Sequence, residues 1–134
     1  MFGKTSKPQN RIDSLIGATT RIEGNVFFTG GLRIDGAVRG NVSAIPEQPG
    51  TLVISEHARV DGEVQVAHLV VNGTINGAVQ AVETLELQSS SRVKGDVHYK
   101  SIEMQQGAVV EGRLVHYDGV AEIKAVELKL ASGG

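Results

Sequence analysis

The stretch Ile22-Glu23-Gly24-Asn25-Val26 follows the pattern apolar-x-Gly-x-apolar, and the chain repeats this pattern along most of its length. The further copies are Val38-Arg-Gly40-Asn-Val42, Val60-Asp-Gly62-Glu-Val64, Ile75-Asn-Gly77-Ala-Val79, Val93-Lys-Gly95-Asp-Val97 and Val110-Glu-Gly112-Arg-Leu114. The central glycines are 15 to 22 residues apart, and the longest interval contains Pro46 and Pro49, which indicate an inserted loop. A repeat this short cannot bury its own apolar face and requires neighbours stacked on it. The chain is therefore predicted to form a solenoid.

Between the glycines, apolar and polar residues alternate, as in Leu32-Arg-Ile34 and Leu85-Glu-Leu87. Period two places one row of side chains inward and one row outward along a strand. A coil of about 17 residues holds three such strands and three corners, and about six stacked coils give an all-β parallel β-helix. Glycine at the centre of each pattern fits a corner that needs positive φ or a close backbone approach.

Composition predicts three segments and argues against several classes of function. The expected segments are a flexible tail at 1–16, the β-helix at 17–118 and a flexible tail at 119–134.

The 13 Lys and Arg residues are scattered among 15 Asp and Glu residues, with no basic stripe for nucleic acid. The chain has no cysteine for a disulfide or a thiolate site. No apolar run approaches the roughly 20 residues that span a bilayer, so a cytoplasmic location is expected.

Three stretches, together with the repeated pattern, carry a resemblance to a known family: Gly30-Gly-Leu-Arg-Ile-Asp-Gly36, Leu69-Val-Val-Asn-Gly73 and Gly107-Ala-Val-Val-Glu-Gly-Arg113. Over roughly residues 14–117 the sequence resembles the bactofilins, bacterial cytoskeletal proteins. The resemblance implies a right-handed β-helix of six coils that polymerises end to end, without nucleotide, into nonpolar filaments. It also implies scaffolding roles in cell shape, division, polarity or motility, often through recruitment of cell-wall enzymes. No catalytic, cofactor-binding or metal site is predicted.

The two ends of an open β-helix are the candidate site for polymerisation. Each end is an edge of unpaired N–H and C=O groups, which is a template for another chain unless it is capped. The sequence shows no capping helix on the N-terminal side. Apolar residues of the first and last coils are therefore predicted to bind further copies of the chain: Phe27, Phe28, Val109, Val110, Leu114, Val115 and Tyr117. The alternative is that Phe28 or Tyr117 plugs the core as a lid.

The two tails lead to separate expectations. The start Met1-Phe2-Gly3-Lys4, followed by Lys7, resembles the Met-Phe-x-Lys start through which many bactofilins attach to the inner membrane. Met1, Phe2, Lys4 and Lys7 are thus the predicted membrane-binding residues, and a solubilising tail is the alternative. Residues 120–130 fit a partial seventh strand, a weak helix or a disordered partner-binding segment. Disorder is favoured because Gly-containing breakers lie on both sides.

A hexapeptide-repeat acyltransferase, or a related metal-dependent enzyme, is the alternative from another functional class. Such enzymes also stack parallel β-helix coils, but their repeats usually place glycine directly after the aliphatic residue, whereas here glycine follows a polar residue. Their catalytic forms need a histidine base between subunits or three imidazoles around zinc. The chain has His57, His68, His98 and His116, which are predicted to be surface residues. The last two lie about one coil apart and could stack as an outward ladder.

Overall fold

The computed structural model describes residues 12–45 and 50–116, and these residues form strands joined by tight corners. The strands are, in chain order, β1 (Ser14–Ile16), β2 (Arg21–Glu23), β3 (Val26–Phe28), β4 (Gly30–Ile34), β5 (Ala37–Arg39), β6 (Val42–Ala44), β7 (Gly50–Ile54), β8 (Arg59–Asp61), β9 (Val64–Val71), β10 (Thr74–Asn76), β11 (Val79–Leu87), β12 (Arg92–Lys94), β13 (Val97–Met104), β14 (Val109–Glu111) and β15 (Leu114–His116). The described residues contain no helix, and the all-β prediction is confirmed. This part of the chain accordingly has no helix long and apolar enough to cross a bilayer.

The strands stack as six coils around three walls. The first wall is a six-stranded sheet in the order β2-β5-β8-β10-β12-β14. The larger sheet makes the other two walls. The second wall contains β3, β6, β15 and the first parts of β9, β11 and β13. The third contains β1, β4, β7 and the last parts of the same three long strands. These pairings are parallel, so each strand binds its counterpart one coil along, and the predicted parallel β-solenoid is confirmed.

Aliphatic side chains stack inside the tube in columns, because the register places the same inward position of each coil over the next. On the third wall, Leu52 pairs with Leu32 on one side and Leu69 on the other. On the first wall, Val60 pairs with Val38 and with Ile75. These six side chains are at most 3% exposed. Removing a buried side chain of this size from water contributes roughly 1.5–3 kcal/mol, so burial of these columns is a large favourable term in folding.

The central glycines of the repeated pattern occupy one corner of every coil, where backbones approach closely. Gly77 has a φ of +158°, and a Cβ built on it would collide with the carbonyl group of Gly62 in the preceding coil. The same conflict recurs at Gly40, and this confirms the predicted role of the glycines. The residue after the glycine connects neighbouring coils by a hydrogen bond: the Asn25 Oδ1 accepts from the Asn41 backbone N–H at 2.9 Å.

Two details of the fold differ from expectation. Strand β1 covers Ser14–Ile16, which composition had assigned to the tail, and it pairs with Leu32–Ile34 of β4. The short polar Ser14 weakened the apolar pattern that would have shown this strand. In β11 the register shifts between Ala81 and Thr84, so this strand carries an extra residue and continues around the corner between the second and third walls.

Candidate functional site

The N-terminal end of the rod is the edge formed by β1, β2 and β3. Leu15 and Phe27 are exposed at 59% and 70%, on the outer surfaces of the third and second walls. Ile22 and Val26 are half-buried at inward positions, opposite Val38 and Val42 of the next coil. This end therefore presents apolar groups both inside and outside the tube.

Phe27 and Phe28, which were predicted together, lie on opposite sides of the second wall. The Phe28 side chain is 9% exposed, and its ring lies beside Gly50, since a Cβ there would be 3.1 Å from the ring Cε2. Phe28 thus belongs to the buried core of its own chain. Phe27 is the aromatic residue that this end presents to solvent.

The C-terminal end is the edge formed by β14, β15 and the last part of β13. Leu114 and Met104 are each 44% exposed, although they occupy the inward columns that are buried in the middle coils. Val110 is half-buried below Val93 in the same way. Within the described residues, no further coil stacks on these side chains. The aliphatic core is therefore exposed at this end.

Alternation of side chains divides the predicted interface residues of the last coil. Val110 and Leu114 point into the tube, whereas Val109 pairs with Arg92 and Val115 pairs with His98, both in outward rows. Tyr117 lies outside the described residues. The inward residues that sequence reasoning missed are Ile22, Val26, Ile102 and Met104, together with the outward Leu15. Counting in twos from Gly24 would have found Ile22 and Val26, whereas Ile102 and Met104 lie beyond a change of phase in β13.

Carboxylates at the corners form hydrogen bonds between adjacent coils. The Ser55 hydroxyl, at 2.5 Å, lowers the pKa of Asp35, and the Asn76 amide, at 2.7 Å, lowers that of Asp61. The backbone N–H of Arg113, at 3.0 Å, lowers the pKa of Asp96. Each bond joins one coil to the next. Because folding favours the charged forms, this stabilisation is present above the unfolded-state pKa values and is lost on acidification.

The histidines do not converge on a catalytic or metal site. The His68 Nδ1 lies 2.9 Å from the Thr84 hydroxyl. His98 pairs with Val115 in an outward row, whereas His116 pairs with Tyr99 at an inward position, with ring centroids 5.6 Å apart. The outward ladder of two histidines was therefore a wrong expectation, because the one-residue offset places them on opposite sides of the sheet. Among residues 12–45 and 50–116, no three His, Asp or Glu side chains are grouped to hold a metal ion.

Comparisons with known proteins give a consistent result. The sequence profile of the bactofilin family, described as polymer-forming cytoskeletal, matches residues 14–115. Bactofilin BacP of Myxococcus xanthus (strain DK1622) is 26% identical over 109 residues, which cover 81% of this chain and 44% of that protein. Bactofilin BacO of the same strain is 24% identical over 102 residues, covering 76% of this chain and 78% of that protein. The chain thus spans less than half the length of BacP. No solved structure gives a significant match.

Proposed function

Because this chain belongs to the bactofilin family of polymer-forming cytoskeletal proteins, we propose that it assembles end to end, without nucleotide, into filaments that scaffold other proteins. The observation that carries the proposal is the exposed core at the C-terminal end, where Leu114 and Met104 stay 44% exposed in columns that are buried in the middle coils. A second copy stacked there would cover these side chains. The proposal retains the predicted interface residues Phe27, Val110 and Leu114.

The energy of such a joint comes from two sources. Burying an aliphatic or aromatic side chain contributes roughly 1.5–3 kcal/mol, and a joint of six such residues contributes about 10 kcal/mol or more. Association itself costs about 4–15 kcal/mol. The backbone hydrogen bonds that continue the sheet across the joint add a favourable term of about 0.5–1.5 kcal/mol each. Assembly is therefore expected to depend on protein concentration and to need no ATP or GTP.

Electron microscopy tests this function directly. Purified protein at micromolar concentration, in buffer without nucleotide or metal, is expected to form filaments in negative stain. Addition of a chelator and of apyrase should leave their number unchanged. Discrete trimers would support the acyltransferase-like alternative, and a monomer at all concentrations would refute the polymerisation proposal.

We further propose that the filament binds the inner face of the cytoplasmic membrane through Met1, Phe2, Lys4 and Lys7. These residues lie outside the described residues, and support comes from their sequence. A buried Phe contributes about 1.5–3 kcal/mol and each basic residue near anionic lipid about 1 kcal/mol. One tail binds weakly, whereas a filament displays many tails and gains by avidity. The membrane-bound filament would recruit cell-wall or division proteins, which cosedimentation with purified filaments would detect.

Substitution Phe2→Ala is expected to reduce cosedimentation with anionic vesicles at least several-fold, because the tail loses its largest apolar group. Thr5→Ala, in the same tail, is the matched control and should bind as wild type does. Filament formation without lipid should be equal in all three proteins. Equal binding of Phe2→Ala and wild type would show that Phe2 does not anchor the filament.

A further inference from the structure

The last part of β13, Ser101–Met104, ends the third wall with an open edge. It pairs with β11 on one side, and β15 pairs only with Val97–Tyr99 of the first part of β13. We infer that Leu128-Lys129-Leu130 of the same chain binds this edge as an added parallel strand and so competes with a second copy for it. This inference rests on the proposed end-to-end assembly and specifies what controls the joint at the C-terminal end.

The backbone of this edge is oriented to bind such a strand. The Gln105 N–H donates to the Leu87 carbonyl of the preceding coil at 2.8 Å. Because backbone groups alternate in direction from residue to residue, Glu103 also faces β11, whereas Ile102 and Met104 direct their N–H and C=O groups to the open edge. Such an edge binds an extended segment through main-chain hydrogen bonds, and the alternate side chains give specificity.

The side chains of the edge define what the added strand must carry. Ile102 is half-buried and Met104 is 44% exposed, both at inward positions. Between them Glu103 points outward and pairs directly with Glu86, and like charges in opposite positions destabilise a pair of strands. Within the part of the chain that the structure describes, no ion pair involves Glu103. The edge therefore fits a strand with the order apolar, basic, apolar.

The C-terminal segment, residues 117–134, lies outside the described residues, so its sequence alone bears on the register. It contains four stretches with the order apolar-x-apolar, which begin at Ala121, Ile123, Val126 and Leu128. The first and third have glutamate at the centre, which would add a like charge beside Glu103. The second and fourth have lysine, but the second ends in alanine, whereas the fourth has leucine at both inward positions. Leu128-Lys129-Leu130 thus satisfies both requirements of the edge.

The place at which the chain leaves the rod allows this arrangement. His116, the last described residue, pairs with Tyr99, two residues before Ser101. The added strand would lie about 4.8 Å beyond β13 and would begin roughly 7 Å further along the coil. The intervening residues 117–127 can span up to about 36 Å when extended. The segment would enter the third wall from the same corner as the other coils, so it would run parallel to β13.

Binding of the segment covers the groups that a second copy needs. Lys129 comes opposite Glu103, and the two leucines cover Ile102 and Met104. A molecule with an occupied edge cannot extend its third wall into a second copy, so only the fraction with a free edge assembles at this end. The critical concentration for filaments rises as that fraction falls. The C-terminal segment is in this way an internal competitor of filament growth.

Cysteine cross-linking tests the register, because the chain has no native cysteine. In the full-length variant Glu103→Cys/Lys129→Cys, the two cysteines would face each other with Cα atoms about 4.8 Å apart, within the range of disulfides. At submicromolar concentration it is expected to form an intrachain disulfide about tenfold faster than Glu103→Cys/Glu127→Cys, whose second cysteine would lie opposite Ser101. The readout is loss of both thiols without dimers on a non-reducing gel. Equal rates, or a faster reaction of Glu103→Cys/Lys124→Cys, would overturn the inference.

Filament assays test the competition. The variant Leu128→Ser/Leu130→Ser removes the apolar groups of the added strand and is expected to lower the critical concentration about tenfold, which corresponds to an occupied edge in about nine of ten free wild-type molecules. Val120→Ser/Ile123→Ser is the matched control, because it removes two aliphatic side chains from the same segment, and it should assemble as wild type does. The oxidised Glu103→Cys/Lys129→Cys protein should form no filaments, and reduction should restore them.

The outcomes separate this inference from the proposed function. A critical concentration of Leu128→Ser/Leu130→Ser equal to that of wild type would overturn the competition, as would filaments from the fully oxidised cysteine variant. If neither wild type nor any variant forms filaments, end-to-end assembly is refuted and the competition with it. The disulfide rates then still decide whether the segment binds the edge of β13.

Discussion

Substitution Leu114→Arg is expected to prevent filaments at the protein concentrations at which the wild type polymerises. Leu114 is 44% exposed at the inward position that pairs with Val97, so a second copy stacked on the last coil would bury it. A guanidinium group in that place is buried without a partner, which costs about 3–5 kcal/mol. Since about 1.4 kcal/mol corresponds to a tenfold change in affinity, the critical concentration should rise by roughly two to four orders of magnitude.

The measurement is cosedimentation over a range of protein concentrations, with analytical ultracentrifugation of the soluble fraction. Val115→Arg is the matched control, because Val115 is the next residue and belongs to the outward row with His98. It should polymerise nearly as wild type does. If Leu114→Arg forms filaments at the wild-type critical concentration, the C-terminal joint lies elsewhere.

Substitution Gly77→Ala is expected to destabilise the fold strongly, although it adds only one methyl group. Two effects combine: a φ of +158° that side chains rarely adopt, and a collision of the new Cβ with the carbonyl group of Gly62. Backbone strain of this kind costs about 1–3 kcal/mol, and the collision with rigid backbone adds to it. A loss of about 3 kcal/mol lowers Tm by roughly 10 °C in a chain of this size.

Two other glycines separate these effects. Gly24 has a φ of +133° but no atom within 4 Å of a built Cβ, so Gly24→Ala should show the strain alone and lose about 1–3 kcal/mol. Gly17 has neither the positive φ nor a close neighbour, and Gly17→Ala should be neutral or stabilising by up to about 1 kcal/mol. Thermal unfolding followed by circular dichroism measures all three. Equal stability of the Gly77 and Gly17 variants would contradict the proposed role of the glycine corner.

The fold was predictable because one physical requirement recurs in every coil. A corner where backbones nearly touch accepts only glycine. The spacing of the glycines therefore predicted the length of a coil and the position of one corner in each. The alternation of apolar and polar residues on either side of the glycines predicted the strands. The start of β1 was missed because Ser14 occupies an inward position that is Leu32 in the next coil. The extra residue of β11 was missed for another reason: a bulge changes the register without changing the composition.

The candidate site was predicted in part. Proximity to the chain ends pointed to the first and last coils, where Val110 and Leu114 lie at inward positions. Val109 and Val115 were included with them because proximity along the sequence does not distinguish the two sides of a strand. The orientation of Phe28 depends on the space beside Gly50 in the third coil, a contact between distant residues that no local pattern reveals.

The direction of the strands gives the rod a mechanical character. The strands lie across the long axis, so the backbone hydrogen bonds between coils point along it, and a tensile force loads the bonds of one layer together. Such a layer shares the load among its bonds and stretches little before it ruptures. A fibre built from these rods would resist elongation stiffly and break in a brittle manner at its weakest layer.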